Sequence, residues 1–184
     1  MNAFEQLVSE ILWMEGYWVR TSVKVELTKK EKVRIRRPSS PRWELDIVAY
    51  RGRENMLTVV ECKSYLDSRG VHLGALDGSD ANSAKRYKLF TDDTLRKVVF
   101  SRLRQQFTKS GICAPRPAVQ LCLACGRIAS DTDRAGLREH FAAKGWVLWD
   151  ESWIRNKLQV MSGQRYENQG SAVVSKLLLR GNAT

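Results

Sequence analysis

Two β-rich runs separated by a four-residue turn constrain this chain more than any other feature. Glu44 to Arg51 reads ELDIVAYR and Met56 to Ser64 reads MLTVVECKS, with Gly52, Arg53, Glu54 and Asn55 between them. Runs rich in Val, Ile and aromatic residues, joined by turn-forming residues, predict a hairpin. With Arg53 and Glu54 at the turn, residues whose numbers sum to 107 face one another, which sets Asp46 opposite Glu61. Side chains alternate along a strand, so Glu61 and Lys63 share the face of Asp46 while Cys62 points away. The flanking Ile47, Val48, Val59 and Val60 suit central strands covered on both faces.

Around this hairpin the periodicity alternates. Phe4, Leu7, Val8, Ile11 and Leu12 mark one face of a first helix, which Gly16 closes, and Tyr17 to Leu27 then reads as a strand. Residues 29–42 carry seven Lys or Arg against one Glu and end in two prolines around a serine pair, which predicts a mobile basic loop or hairpin. Residues 65–83 are dense in Gly, Asp and Ser and predict an irregular connection. Leu95, Val98, Val99, Leu103 and Phe107 mark an amphipathic helix over 91–107. A strand over 118–128, a helix over 132–144, a short buried strand over 146–149 and a helix through Ile154, Leu158 and Met161 follow. The βαβα order predicts an α/β fold with a central mixed β-sheet flanked by helices on both faces. At 184 residues one domain is expected, residues 1–166, with 167–184 as an appendage docked through Val173, Val174, Leu177 and Leu178.

Thirty-one Lys and Arg against twenty Asp and Glu leave a net charge of +11, which favours a polyanionic partner, nucleic acid first. Candidate nucleic-acid contacts are Lys29, Lys30, Lys32, Arg34, Arg36, Arg37 and Arg42 in the basic stretch, and Lys85, Arg86 and Lys88 around Tyr87. The longest apolar run is too short for a membrane span, and the N-terminus lacks the basic and apolar regions of a signal peptide, so no membrane and a cytoplasmic location are expected. Four cysteines are too few for a disulfide scaffold. Cys122 and Cys125 make only half of a zinc motif and read, with Cys113, as core.

Two carboxylates facing each other destabilise a bare hairpin unless a cation sits between them or a lysine neutralises one. Hard oxygen ligands of this kind suit Mg²⁺ or Mn²⁺, with water and substrate phosphate filling the remaining positions. A solvated cross-strand salt bridge is the plain alternative, but charges on buried central strands are seldom idle.

Asp46 followed by Glu61-Cys62-Lys63 at the end of a second β-run resembles the PD-(D/E)xK nuclease signature, and the order helix, strand, Asp-bearing strand, ExK strand, helix, strand resembles the restriction-endonuclease-like core over roughly residues 4–128. The likeness is greatest to Holliday junction resolvases and Mrr-like restriction nucleases, which carry a glutamate in the first helix. Glu5 lies at the edge of the apolar arc and its spacing to Gly16 fits that pattern, whereas Glu10 lies off the arc. Leu45 stands where the family's proline would be, and residues 64–80 match no helix of the family. The resemblance implies that Asp46 and Glu61 bind Mg²⁺ or Mn²⁺, that the Cys62 carbonyl adds a ligand, that Lys63 activates water and that Glu5 helps place it. It implies a metal-dependent endonuclease acting on DNA, with a homodimer where both strands are cut. An RNA-directed nuclease of the same fold and a non-catalytic nucleic-acid-binding subunit are the alternatives.

Overall fold

The structure, a computed structural model, describes residues 2–39, 42–165 and 168–179. Its elements run α1 Ala3–Met14, β1 Trp18–Val25, α2 Lys29–Arg34, β2 Trp43–Arg51, β3 Met56–Lys63, the short helices α3 Gly74–Asp77, α4 Ala81–Ala84 and α5 Lys88–Thr91, then α6 Asp93–Lys109, β4 Ala118–Cys125, α7 Asp131–Lys144, β5 Val147–Trp149, α8 Glu151–Gly163 and α9 Gly170–Leu179. The five strands form one sheet in the order β1-β2-β3-β4-β5. Strands β1 to β3 pair antiparallel, and β3, β4 and β5 pair parallel. The fold is therefore α/β with a mixed sheet, and helices cover both of its faces.

Each face has its own core. On one side Leu57, Val59, Leu121 and Leu123 of the sheet meet Leu95, Val99 and Leu103 of α6 and Leu137 and Phe141 of α7. On the other, Ile47, Val60, Cys62 and Cys122 meet Phe4, Val8, Ile11 and Leu12 of α1, Ile154 and Met161 of α8, and Ala172 of α9. Burial on both faces explains the near-continuous apolar runs of β3 and β4.

Alternation breaks once. Along β1, Val19 packs on the α1 side while Val23 and Val25 pack on the α6 side; along β2, Ile47 and Ala49 face α1 but Leu45 faces α6. Residues two apart should share a face, so both strands rotate where the ladder omits Ser22 and Asp46 and where Ser22 takes a φ of 50°. This rotation coincides with the candidate carboxylate.

The structure departs from the sequence reading in three places. Residues 29–34 form a helix instead of a basic loop, because Thr28 and Glu31 make a capping box, the Thr28 N–H donating to Glu31 Oε2 at 2.7 Å. Glu31 also pairs with Arg102 of α6 at 2.8 Å, which pins α2 to the body. The Ser40–Pro41 step of that stretch lies outside the described residues. Residues 65–83 contain α3 and most of α4, anchored by a bridge between Val71 and Ile128. The C-terminal helix docks through its small side: Ala172 and Ser175 are buried and Ser171 Oγ donates to Glu10 Oε2 at 2.5 Å, while Val173, Val174, Leu177 and Leu178 are exposed. The expected docking residues thus face outward, since Glu10 and the close approach to α8 select small side chains. The junction at 166–167 lies outside the described residues. Among those described, no helix is long and apolar enough to cross a membrane.

Candidate active site

The hairpin register is the expected one: Ile47 faces Val60, Val48 faces Val59, and Arg51 faces Met56 across a turn at Gly52–Glu54. Asn55 closes it in the left-handed region with φ 45°. The ladder stops at Ile47 and Val60, and one step further along it stand Asp46 and Glu61. There Asp46 takes over from the backbone, its Oδ2 accepting the Cys62 N–H at 2.8 Å. The N–H and C=O of a strand residue point to the same side, so the Cys62 carbonyl faces the Asp46 side as well.

Lys63 donates through Nζ to Glu61 Oε1 at 2.6 Å, and these side chains are only 21% and 19% exposed. Alternation along β3 puts them on the α6 side, while the Cys62 thiol is buried on the α1 side. Lys63 Nζ also lies 5.8 Å from the Tyr87 ring centroid, a cation–π contact. Glu5 approaches from α1, at the end of the sheet. It caps its own helix, Oε1 accepting from Asn2 Nδ2 at 2.7 Å, yet its charge is felt at both Glu61 and Cys62. Glu10 is used elsewhere, accepting from Gln6 and Ser171.

The electrostatics are unbalanced. Burial raises the Glu61 pKa above the usual carboxylate value; Lys63 opposes that shift, and the Asp46 and Glu5 charges add to it. Burial lowers the Lys63 pKa, but Glu61 and then Asp46 more than reverse this. The Cys62 thiol is pushed up by burial and by the surrounding carboxylates, which leaves it un-ionised and inert as a nucleophile.

Among the described residues no three His, Cys, Asp or Glu side chains converge tightly enough to enclose a metal ion. The donor set of two carboxylates and a carbonyl nevertheless fits Mg²⁺ or Mn²⁺, which commonly takes one or two carboxylates and keeps several waters. The raised Glu61 pKa is an observation of the same kind, because a site holding more negative than positive charge gains from a cation. Zinc at the cysteines is disfavoured by geometry. All four thiols are buried and free, and Cys122 and Cys125 lie on opposite faces of β4.

The basic candidates form two groups. Lys29, Lys30 and Arg34 on α2, Arg36 after it, and Arg42 are exposed; Lys32 is half-buried, and Arg37 stacks on Trp43 at 5.1 Å. Lys85 and Arg86 are exposed between α4 and α5, Lys85 bonding Asn82 at 3.2 Å, and Lys88 opens α5 half-buried. Two positions escaped the sequence reading. Gly126 donates its N–H to the Lys63 carbonyl at 3.0 Å, and a Cβ there would meet the Ser64 oxygen at 2.3 Å, so only glycine lets the ends of β3 and β4 pack. Tyr65, two residues beyond Lys63, holds a left-handed φ of 44°, a strain of about 1–3 kcal/mol that concentrates at functional sites. A glycine directly after a buried strand was the available signal for the first; nothing in the sequence marks the second.

No family model and no curated protein matches the chain. A crystal structure of a protein of unknown function, AF1548, is similar at 16% identity, with a TM-score of 0.45, over 91% of this chain and 73% of that one.

Proposed function

We propose that this chain is a divalent-metal-dependent nuclease of the PD-(D/E)xK type that hydrolyses phosphodiester bonds in DNA. The observation that carries the reading is the gathering of Asp46, Glu61 and Lys63 at one level of two central strands, half-buried and with negative charge in excess. A binding module gains nothing from converging carboxylates that repel phosphate. Asp46, Glu61 and the Cys62 carbonyl are the groups to hold Mg²⁺ or Mn²⁺. When bound, such a cation polarises a phosphate oxygen and makes water a stronger nucleophile. Lys63 carries a fixed positive charge beside the same pocket, where it orients water and stabilises the charge that develops on phosphorus. Glu5 bounds the site from α1 and positions the attacking water. The net charge of +11 draws the polyanion in, with α2 and the Lys85–Lys88 segment as contacts. Cutting both strands takes two such sites, so a homodimer belongs to the proposal.

The test is a panel of plasmid, linear duplex, four-way junction, single strand and structured RNA, incubated with Mg²⁺ or Mn²⁺ beside the Lys63→Ala variant. Metal-dependent cutting of a DNA member that the variant lacks is the expected result. Cutting of RNA alone would move the substrate class. Tight metal-independent binding with no cleavage would leave a non-catalytic subunit.

A further inference from the structure

Beside the Lys63 site lies a cavity of about 110 Å³ between the 65–72 loop and the turn that joins α4 to α5. That is several times the roughly 10–15 Å³ one water requires, and it suits a group of a few heavy atoms. Tyr87 belongs to both places: it helps line the cavity, and its ring centroid is 5.8 Å from Lys63 Nζ. Its polar walls are the hydroxyls of Tyr65, Ser68 and Ser83, of which Ser68 Oγ donates to the Tyr65 carbonyl at 3.4 Å and Ser83 bonds Asp80, and the guanidinium of Arg86.

The charges select the occupant. Asp80, three residues before Ser83, is occupied by His72 at 3.2 Å and by the backbone N–H groups of Asn82 and Ser83, and Asp67 of the 65–72 loop is exposed. Among the described residues no ion pair engages Arg86. A guanidinium beside hydroxyls, with no ion pair of its own among those residues, matches a phosphate oxygen set, while the neighbouring Lys63 charge is held by Glu61 at 2.6 Å. The walls are also fixed in place. Tyr65 is held left-handed, and Gly70, at φ 92°, lies so close to the segment after β4 that a Cβ would meet the Arg127 oxygen at 2.9 Å.

Tyr87 spans from Lys63 to this wall, so a strand with one phosphate at Lys63 carries the next phosphate of its backbone past the same side chain. We infer that the cavity walled by Tyr65, Ser83, Arg86 and Tyr87 is a phosphate subsite that receives the phosphodiester group next to the one cleaved, with Arg86 as its positioning residue. The inference rests on the nuclease reading and separates Arg86 from the other basic residues of its segment.

The experiment titrates thymidine 3′,5′-bisphosphate and inorganic phosphate into the full chain in EDTA, following backbone amide resonances. Wild type is compared with Arg86→Ala and with Lys109→Ala, at the far end of α6 and roughly 24 Å from its start. Shifts at Tyr65, Ser68 and Ser83 are expected, with affinity falling at least about tenfold in Arg86→Ala and less than about twofold in Lys109→Ala. Cleavage by Arg86→Ala should show a raised KM with kcat little changed, the mark of lost uniform binding. Equal weakening by both substitutions, or shifts confined to other residues, would overturn the subsite. Cleavage that Lys63→Ala abolishes, with binding that Arg86→Ala leaves unmoved, would overturn the subsite alone. Arg86-dependent binding without cleavage of any substrate would overturn the nuclease reading while the phosphate site stood.

Discussion

Two partly buried ionic clusters sit at the C-terminal ends of the parallel strands, and they are built on opposite principles. Between α7 and α8, Arg134 binds Asp150 at 3.0 Å and also Glu151, and Arg138 binds Asp150 at 3.1 Å. Two arginines balance two carboxylates, and Asp150 also caps α8, Oδ1 accepting the Trp153 N–H at 3.0 Å. Burial alone would raise the Asp150 pKa, but the Trp153 N–H and the two arginines outweigh it and hold the carboxyl below its usual range. At the end of β3, one ammonium faces Glu61 with Asp46 and Glu5 nearby, and the Glu61 pKa goes up. The first cluster is close to charge balance and serves the fold. The second is left short of positive charge, as a group prepared for a cation and a phosphate would be.

This contrast can be broken by mutation, and the largest effect belongs to the unbalanced cluster. Lys63→Ala should lower cleavage by about 10³-fold, in the range for losing a charge-stabilising group, as read from single-turnover rates. Gly126→Ala should destabilise the chain by about 3 kcal/mol in denaturant melts, because its Cβ would be driven into the Ser64 carbonyl and displace the strand end that carries Lys63. Arg134→Ala should destabilise by about 2 kcal/mol by stranding Glu151 and leaving Asp150 with Arg138 and the Trp153 N–H alone, with the cleavage rate per folded molecule unchanged. Asp46→Asn should behave in the reverse sense. The amide oxygen can still accept from Cys62 while one of the repelling charges disappears, so stability should rise by about 0.5–1 kcal/mol as activity is lost.

The smallest effect is in pH dependence, and here the clusters have opposite signs. Asp150 has a depressed pKa, so its contribution is present above the usual value of 3.8 and is lost as pH falls through the folded value. Glu61 has a raised pKa, so the folded chain holds its proton longer than the unfolded one. Stability then declines as pH rises from the usual 4.5 through the folded value. Asp150→Asn should flatten the acid limb of a stability profile, and Glu61→Gln the limb above it.

The balanced cluster was invisible in the sequence, whereas most of the unbalanced one could be read there. The hairpin register follows from a four-residue turn and two apolar runs, which bring Asp46, Glu61 and Lys63 to one end of the hairpin. Arg134 comes from α7 and Asp150 and Glu151 from the start of α8, and no short-range pattern signals that they meet. The basic stretch misled because charge density outweighed the Thr28–Glu31 capping box, a helix signal that was present. Val173, Val174, Leu177 and Leu178 misled because apolar residues were expected to be buried, while tertiary contacts with Glu10 and α8 chose the small side of the helix. The face change at Ser22 and Asp46 and the strain at Tyr65 depend on packing between elements distant in sequence, which alternation rules do not register.

The most direct test of the account is supercoiled-plasmid cleavage in Mg²⁺ by wild type and Asp46→Asn, with the unfolding stability of both measured in the same buffer. The expected variant is at least as stable as wild type and does not cut. A variant that cuts as wild type does, or one that is inactive only because it is unfolded, would contradict the assignment of this cluster to catalysis.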